Sequence, residues 1–279
     1  MLAIEIKSTK NINKYNCDLI IVPTPYSSNS SRIDVDFNTL DVDKKLCLSV
    51  DKIIEEDEIE SLKQYLKDSL NWNVDYYLFS DLSVYYILTS YGIKNKFIFN
   101  AKTLNCSVND IKCYNELGIS CLVSTELTNT DVINISNIQN NAFLVYGYSN
   151  IFYSKRKLIS LYSDYKNIHI DLNKQYYVIE ETRKEKYPIC ENENGTFIYT
   201  PYCYFLFNEL NELNKNNIFI INSFNLEEDD LVKIGDIYQE TLKDGAKVEN
   251  LEKLKEINNN LGQGFLYLKP SILKGDNNE

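Results

Sequence analysis

Six apolar runs in the first 150 residues each give way to polar or ionisable groups. Thr24 follows the run Asp18–Val22, and Asp51 with Lys52 follows Leu46–Val50. Ser80 with Asp81 follows Asp75–Phe79, and Asn100 with Lys102 and Thr103 follows Lys96–Phe99. Thr125 with Glu126 follows Cys121–Ser124, and Gly147 with Tyr148 follows Phe143–Tyr146. If these runs are parallel strands of one barrel, the groups gather at one rim, where barrel enzymes do their chemistry. Three carboxylates there (Asp51, Asp81 and Glu126) could bind a metal, hold a cationic group or shuttle protons, with crowding forcing their pKa values apart. Each residue alone has a plainer reading, because Asp, Asn, Ser and Thr also cap the helix that follows a strand.

Most standard constellations are missing. The one histidine, His169, lies in a strand-like run, Ile168-His169-Ile170, where a structural or surface role is expected. A single histidine excludes HExxH and every multi-histidine metal site. A Ser-His-Asp or Cys-His set would have to use it, yet no GxSxG elbow occurs. There is no P-loop, and Gly262-Gln263-Gly264 lacks the rest of a dinucleotide fingerprint. Arginine is rare, with Arg32, Arg156 and Arg183 among 29 basic residues, so each hints at bidentate anion recognition. The densest basic cluster, Tyr153-Ser154-Lys155-Arg156-Lys157, has tyrosines for neighbours that could stack on bases.

The elements that must position these groups are legible from periodicity. The strand runs, beginning with Leu2–Ile6, are near-continuous in apolar character, as strands covered on both faces are. Amphipathic stretches at Glu58–Leu70, Ser83–Tyr91, Asn109–Leu117 and Thr130–Ile138 alternate with them. Asp57, Asn109 and Thr128 are the expected N-caps. Such repetition means right-handed βαβ units and a parallel sheet. The turn Pro23-Thr24-Pro25-Tyr26-Ser27-Ser28 has no glycine, so a (β/α) TIM-barrel-like domain, complete or broken, is favoured over a Rossmann sheet. After residue 170 the texture becomes α+β. Short β runs at 175–181, 186–191 and 195–200 include the hairpin signal Asn194-Gly195. A helix over 203–213, a strand at 218–221 and helices over 228–242 and 248–258 follow. The expected organisation is a barrel over 1–170, a C-terminal α+β hairpin and helix extension over 171–274 packed on it, and a frayed tail over 275–279.

The 279 residues, 44% of them hydrophobic, suffice for one good-sized core. A net charge of −11 argues against a generic nucleic-acid or anionic-membrane binder, while leaving room for a local basic groove. No run of 18 uncharged apolar residues is present, and the first residues do not resemble a signal peptide. Seven cysteines without a CxxC pair read as reduced thiols of a cytoplasmic protein.

Several segments, taken in order, resemble the collagenase-like peptidases, the unassigned peptidase family 32. They are Lys45–Val50, Val74–Leu82, Asn100–Leu104, Glu116–Ile119, Ser124–Thr128, Val145–Gly147 with Phe152–Arg156, Tyr187-Pro188 with Gly195-Thr196, and Gly264–Leu266. The resemblance implies a (β/α)-barrel-like fold and two kinds of activity. Some relatives are described as proteases. Others act in prephenate-dependent hydroxylation, including 5-hydroxylation of the wobble uridine of transfer RNA. Several such hydroxylases hold an iron–sulfur cluster with one cysteine just after the signature arginine. Here Lys157 stands at that position, so no cluster or other cofactor is expected in this chain. By the same resemblance Glu126 would act as acid/base or orient substrate, Asp81 and Thr103 would line the pocket, and Arg156 would grip an anion. Asp51, Asn100, Lys102, Tyr148, Ser154 and Arg183 are the further substrate-side candidates. The partners implied are a longer paralogue and transfer RNA, with neither membrane nor DNA involved. A peptidase and a non-catalytic partner subunit remain the alternatives.

Overall fold

A computed structural model describes residues 1–268 except 11, 29–32, 34, 103, 139 and 183. Strands and helices are numbered in chain order. The barrel strands are β1 (Leu2–Glu5), β2 (Leu19–Pro23), β3 (Lys45–Val50), β4 (Tyr76–Phe79), β5 (Phe97–Asn100), β6 (Ile119–Val123), β7 (Ala142–Gly147) and β13 (Ile218–Ile221). Neighbours pair in parallel from β1 through β7, and β13 pairs in parallel with both β7 and β1. The eight strands therefore form a closed parallel barrel. The Rossmann alternative is set aside.

The barrel is not confined to residues 1–170. Its eighth strand comes from 218–221, and without it β1 and β7 would each leave an unpaired edge. Residues 171–217 depart from the barrel and return to it. The tail expected over 275–279 lies outside the described residues.

A period-two alternation divides each barrel strand. One phase points inward, where Ala3, Leu19, Ile21, Cys47, Leu78, Ile98, Ala142, Ile218 and Ile220 form a compact cluster. The other phase packs outward beneath α1 (Ile59–Ser69), α2 (Leu82–Ser90), α3 (Val108–Glu116), α4 (Asn129–Ser136) and α6 (Glu228–Asp244). Helix α1 buries Leu62 and Leu66, i and i+4 on one stripe. Each such leucine is worth about 1.5–3 kcal/mol of burial. Thr128 caps α4 through Asp131 N–H as expected, but the cap of α3 is Ser107, not Asn109. The turn before α1 is held by a capping box between Glu55 and Glu58, not by Asp57.

A second sheet of four antiparallel strands runs β8 (Asn150–Ser154), β11 (Gly195–Tyr199), β10 (Lys186–Asn192), β9 (Tyr176–Ile179). Helix α5 (Leu158–Lys166) packs on β10 and β11. His169 is exposed in the loop after α5 and lies in no strand. The hairpin signal at Asn194-Gly195 falls in the right place, but its residues sit one step later than expected. Asn192 pairs with Gly195, so Glu193 and Asn194 form the turn and Gly195 opens β11. At φ 130°, Gly195 admits no Cβ, which would lie 2.0 Å from the Ser154 carbonyl oxygen.

The helix expected over 203–213 is replaced by β12 (Cys203–Phe205) and a 3-10 turn at Asn208–Asn211. The run Cys-Tyr-Phe-Leu-Phe is apolar on all sides, and it is buried as a strand against the end of β7, which β6 leaves free beyond Phe143. Short β14 (Leu261–Gly262) pairs with β12, and α7 (Val248–Ile257) packs on α6.

Candidate functional site

The inward phase turns polar in the last layer of the barrel. Glu5 ends β1, Ser49 and Asp51 end β3, Asn100 ends β5, and Asn222 follows β13. Of these, Glu5, Asp51, Asn100 and Asn222 line a cavity of about 110 Å³ above the apolar cluster at the C-terminal mouth, floored by Ile21, Leu78, Leu122, Leu144 and Ile220. That is the space of three to four waters at ~30 Å³ each. Tyr199 of β11 and Phe224 close its side with stacked rings whose centroids are 3.6 Å apart.

The densest polar network surrounds Asp51, which is buried. Its Oδ1 accepts from Ser28 N–H at 2.9 Å, Ser49 Oγ at 2.8 Å and Ser27 Oγ at 3.2 Å. Its Oδ2 accepts from Ser28 Oγ at 2.7 Å, Asn100 Nδ2 at 3.1 Å and Lys102 Nζ at 2.9 Å. Burial opposes the charge, but the Lys102 ammonium and the Ser28 hydrogen bonds prevail and hold the carboxyl well below the ordinary carboxylate range. Lys102 is itself in the left-handed region at φ 59°, a conformation steadied by its N–H donating to Asn100 Oδ1. Its Nζ also lies 2.6 Å from Ser28 Oγ.

Across the mouth, Glu5 Oε1 accepts from Ser223 N–H and Oγ at 3.1 and 2.8 Å. Asn222 Nδ2 donates to the Tyr148 carbonyl at 2.6 Å. Gly147, at φ 130°, lets Asn222 come this close, since a Cβ there would meet Asn222 Oδ1 at 2.1 Å. Two buried amide oxygens, Asn150 Oδ1 and Asn222 Oδ1, have no hydrogen-bond partner. Each such unpaired acceptor costs about 1–3 kcal/mol.

Of the residues singled out in the sequence, the cavity brings together Asp51, Asn100, Lys102, Thr125 and Tyr148. The three carboxylates do not converge there. Asp81 caps α2 by accepting from Ser83 N–H at 2.9 Å, the plainer of its two readings. Glu126 is exposed and lies near Tyr202, whose phenol is raised by burial and then by Glu185 and Glu126. Ser154 accepts from Arg156 N–H at 3.2 Å beyond the mouth, and the Arg156 side chain is exposed. Thr103, Arg183 and Arg32 lie outside the described residues. Sequence reasoning missed Glu5, Ser28, Ser49, Asn150, Asn222 and Phe224. A polar residue in the inward phase at a strand end would have pointed to Glu5 and Asn222; nothing local distinguishes Ser28.

The cysteines lie in separate parts of the chain, and no group of three His, Cys, Asp or Glu that could hold a metal is found among the described residues. Burial pushes the thiols of Cys17, Cys121 and Cys203 up to about 12, which keeps them protonated.

A closed parallel barrel with its polar layer at the C-terminal mouth is the setting in which the comparisons with known proteins read clearly. The sequence profile described as peptidase family U32 matches residues 36–274. The chain belongs to peptidase family U32. One relative, "tRNA hydroxylation protein P2" of Bacillus subtilis (strain 168), is 25% identical over 247 residues, covering 80% of this chain and 79% of that protein. A solved structure described as the U32 peptidase Mk0906 is similar in fold, with a TM-score of 0.50 and 12% identity over 80% of this chain and 92% of the other. Among the described residues of this U32 chain, no helix is long and apolar enough to cross a membrane.

Proposed function

We propose that this chain takes part in hydroxylating a uridine of transfer RNA, at the wobble position and with prephenate as oxygen source, by holding the base at the barrel mouth. The observation that carries the reading is the likeness of four-fifths of the chain to the tRNA hydroxylation protein P2. The chemistry of the cavity supports it. The ammonium of Lys102 is compensated by Asp51, so this network suits a neutral guest better than a dianion. The face of a pyrimidine suits the Tyr148, Tyr199 and Phe224 rings that line the cavity. A base must leave its stack to be modified, and loop positions cost least to unstack. On this reading the carboxylates of the oxygen donor are handled outside the cavity, with a longer paralogue as partner.

Nucleoside mass spectrometry of transfer RNA from a strain lacking this chain tests the proposal. 5-Hydroxyuridine and its derivatives should disappear, return with the intact chain and stay below about a tenth of normal with Asn222→Ala. An unchanged nucleoside profile in the deletion strain sinks it.

A second reading, a peptidase, is favoured by one contact, the 2.6 Å approach of Lys102 Nζ to Ser28 Oγ. Serine–lysine pairs can hydrolyse amides, but the lysine must be neutral to act as base. Here it is ion-paired with Asp51. Gelatin or casein hydrolysis by the purified chain, abolished by Ser28→Ala, would favour this reading.

A further inference from the structure

The outer edge of the four-stranded sheet is unusual. Strand β9 pairs with β10 alone, and no residue of Tyr176-Tyr177-Val178-Ile179 is polar enough to discourage a neighbour. Tyr177, Val178 and Ile179 are 49%, 43% and 57% exposed, so successive side chains on both faces of the strand stand in water. Edges of stable monomers are blunted by lysine, proline, a bulge or a covering loop. Among the described residues β9 has none of these.

The open backbone groups can be assigned. Glu180 N–H donates to the Glu185 carbonyl at 3.1 Å, continuing the β9–β10 register in which Ile179 faces Lys186. Alternation in an antiparallel ladder then turns Val178 N–H and C=O toward β10 and those of Tyr177 and Ile179 outward. The flanks carry opposite charge, with Lys174 before the strand and Glu180 and Glu181 after it.

We propose that β9 is a dimerisation edge through which two copies of this chain join their four-stranded sheets, antiparallel, into one eight-stranded sheet. The charges select both orientation and partner. Antiparallel approach of an identical edge sets Lys174 beside the partner's Glu180 and the partner's Glu181, and two-fold symmetry makes the contact twice. Parallel approach would set like charges together. Apolar cross-strand pairs of Tyr177, Val178 and Ile179 supply the attraction. Ile168 and Leu172, exposed in the segment entering β9, extend the same apolar surface. The inference stands apart from the proposed reaction, because β9 contributes nothing to the cavity.

Sedimentation equilibrium of the full chain at micromolar concentrations is the test. A mass of about 65 kDa is expected, twice the 32.5 kDa of one copy. Ile179→Pro removes an outward donor without breaking a bond to β10, and should weaken the dimer tenfold or more while the circular dichroism spectrum is unchanged. Should that variant misfold, the charge exchange still decides. Lys174→Glu should weaken the dimer several-fold, and adding Glu181→Lys to it should restore most of the loss. A monomer at all concentrations, or a dimer indifferent to all three variants, overturns the proposal. So does a monomer that gains mass only with an RNA oligonucleotide or with a different protein.

Discussion

At the scale of single residues, Asp51 organises the mouth because its carboxylate is the common acceptor for Ser27, Ser28, Ser49, Asn100 and Lys102. Asp51→Asn keeps the shape but removes the charge and sets an amide against donors, leaving the Lys102 ammonium unpaired. A loss of about 3–5 kcal/mol in urea-unfolding free energy is expected. A loss under 1 kcal/mol would mean the pair contributes little. The pH dependence has a definite sign. A carboxyl held below its ordinary value stabilises the fold at all pH values above about 4, and the contribution fades as pH falls toward the lower folded value. In the sequence, Asp51, Asn100, Lys102 and Tyr148 were legible because each directly follows or ends an apolar run. Asp81 and Glu126 satisfied the same rule yet stand elsewhere. Position after a strand does not distinguish a side chain that turns inward from one that caps the next helix. Ser28 was invisible, since its role depends on a turn folding back over β3.

At the scale of elements, helix α5 shows how tertiary contacts replace a missing local signal. Its own N-cap position, Lys157, provides no side-chain acceptor. The buried Glu191 of β10 reaches over instead, accepting from Ile159 N–H at 2.7 Å, Ser160 N–H at 3.2 Å and the Ser160 hydroxyl. A carboxylate at a helix N-terminus also meets the positive end of the dipole. Glu191→Ala should therefore cost about 2 kcal/mol. It should also raise hydrogen exchange in α5 before the barrel strands, and uniform exchange across both would refute the assignment. Neither α5 nor β8 was evident in the sequence, because the amphipathic stripe of α5 leaves Leu161, Tyr162 and Tyr165 outside and buries little. Helices α1 through α4 were placed within two residues at either end. The helix expected over 203–213 failed for the opposite reason, its opening run 203–207 being apolar in every phase and so compatible with either period.

At the scale of the whole molecule, the four-stranded sheet is fastened to the barrel mouth by a small charged cluster. Lys155 of the loop after β8 meets Glu58 at 3.0 Å and Glu55 at 3.1 Å, while Lys52 holds Glu58 at 2.5 Å. Asn194 Nδ2 donates to the Ser27 carbonyl at 2.9 Å beside it. Partial burial works against the Glu58 charge, yet the hydrogen bonds from Lys52, Glu55 N–H and Lys155 bring its carboxyl down to about 2. This fastening is fully present above pH 4.5 and weakens as pH falls through about 2. Amides of β8 and β11, corrected for intrinsic rates, should lose protection relative to the barrel between those values. Lys155→Met should produce the same loss at neutral pH; equal protection in the variant would show that the rings and backbone hold the sheet unaided. A (β/α) barrel, complete or broken, was anticipated from the repetition of strands and helices. Its extent was not, because a lone apolar run at 218–221 carries no mark of which strands it will join.

The pairing of Leu2 with Phe219 has a consequence for biosynthesis. During synthesis β1 gains β2 early, but its other flank has no neighbour until Ile221 has been made. Throughout that interval a mostly apolar ribbon waits half-satisfied, and ring closure is a late, long-distance event of the kind that slows folding. Nascent chains of this protein should thus depend on whatever shields sticky ribbons during translation, far more than their finished form does.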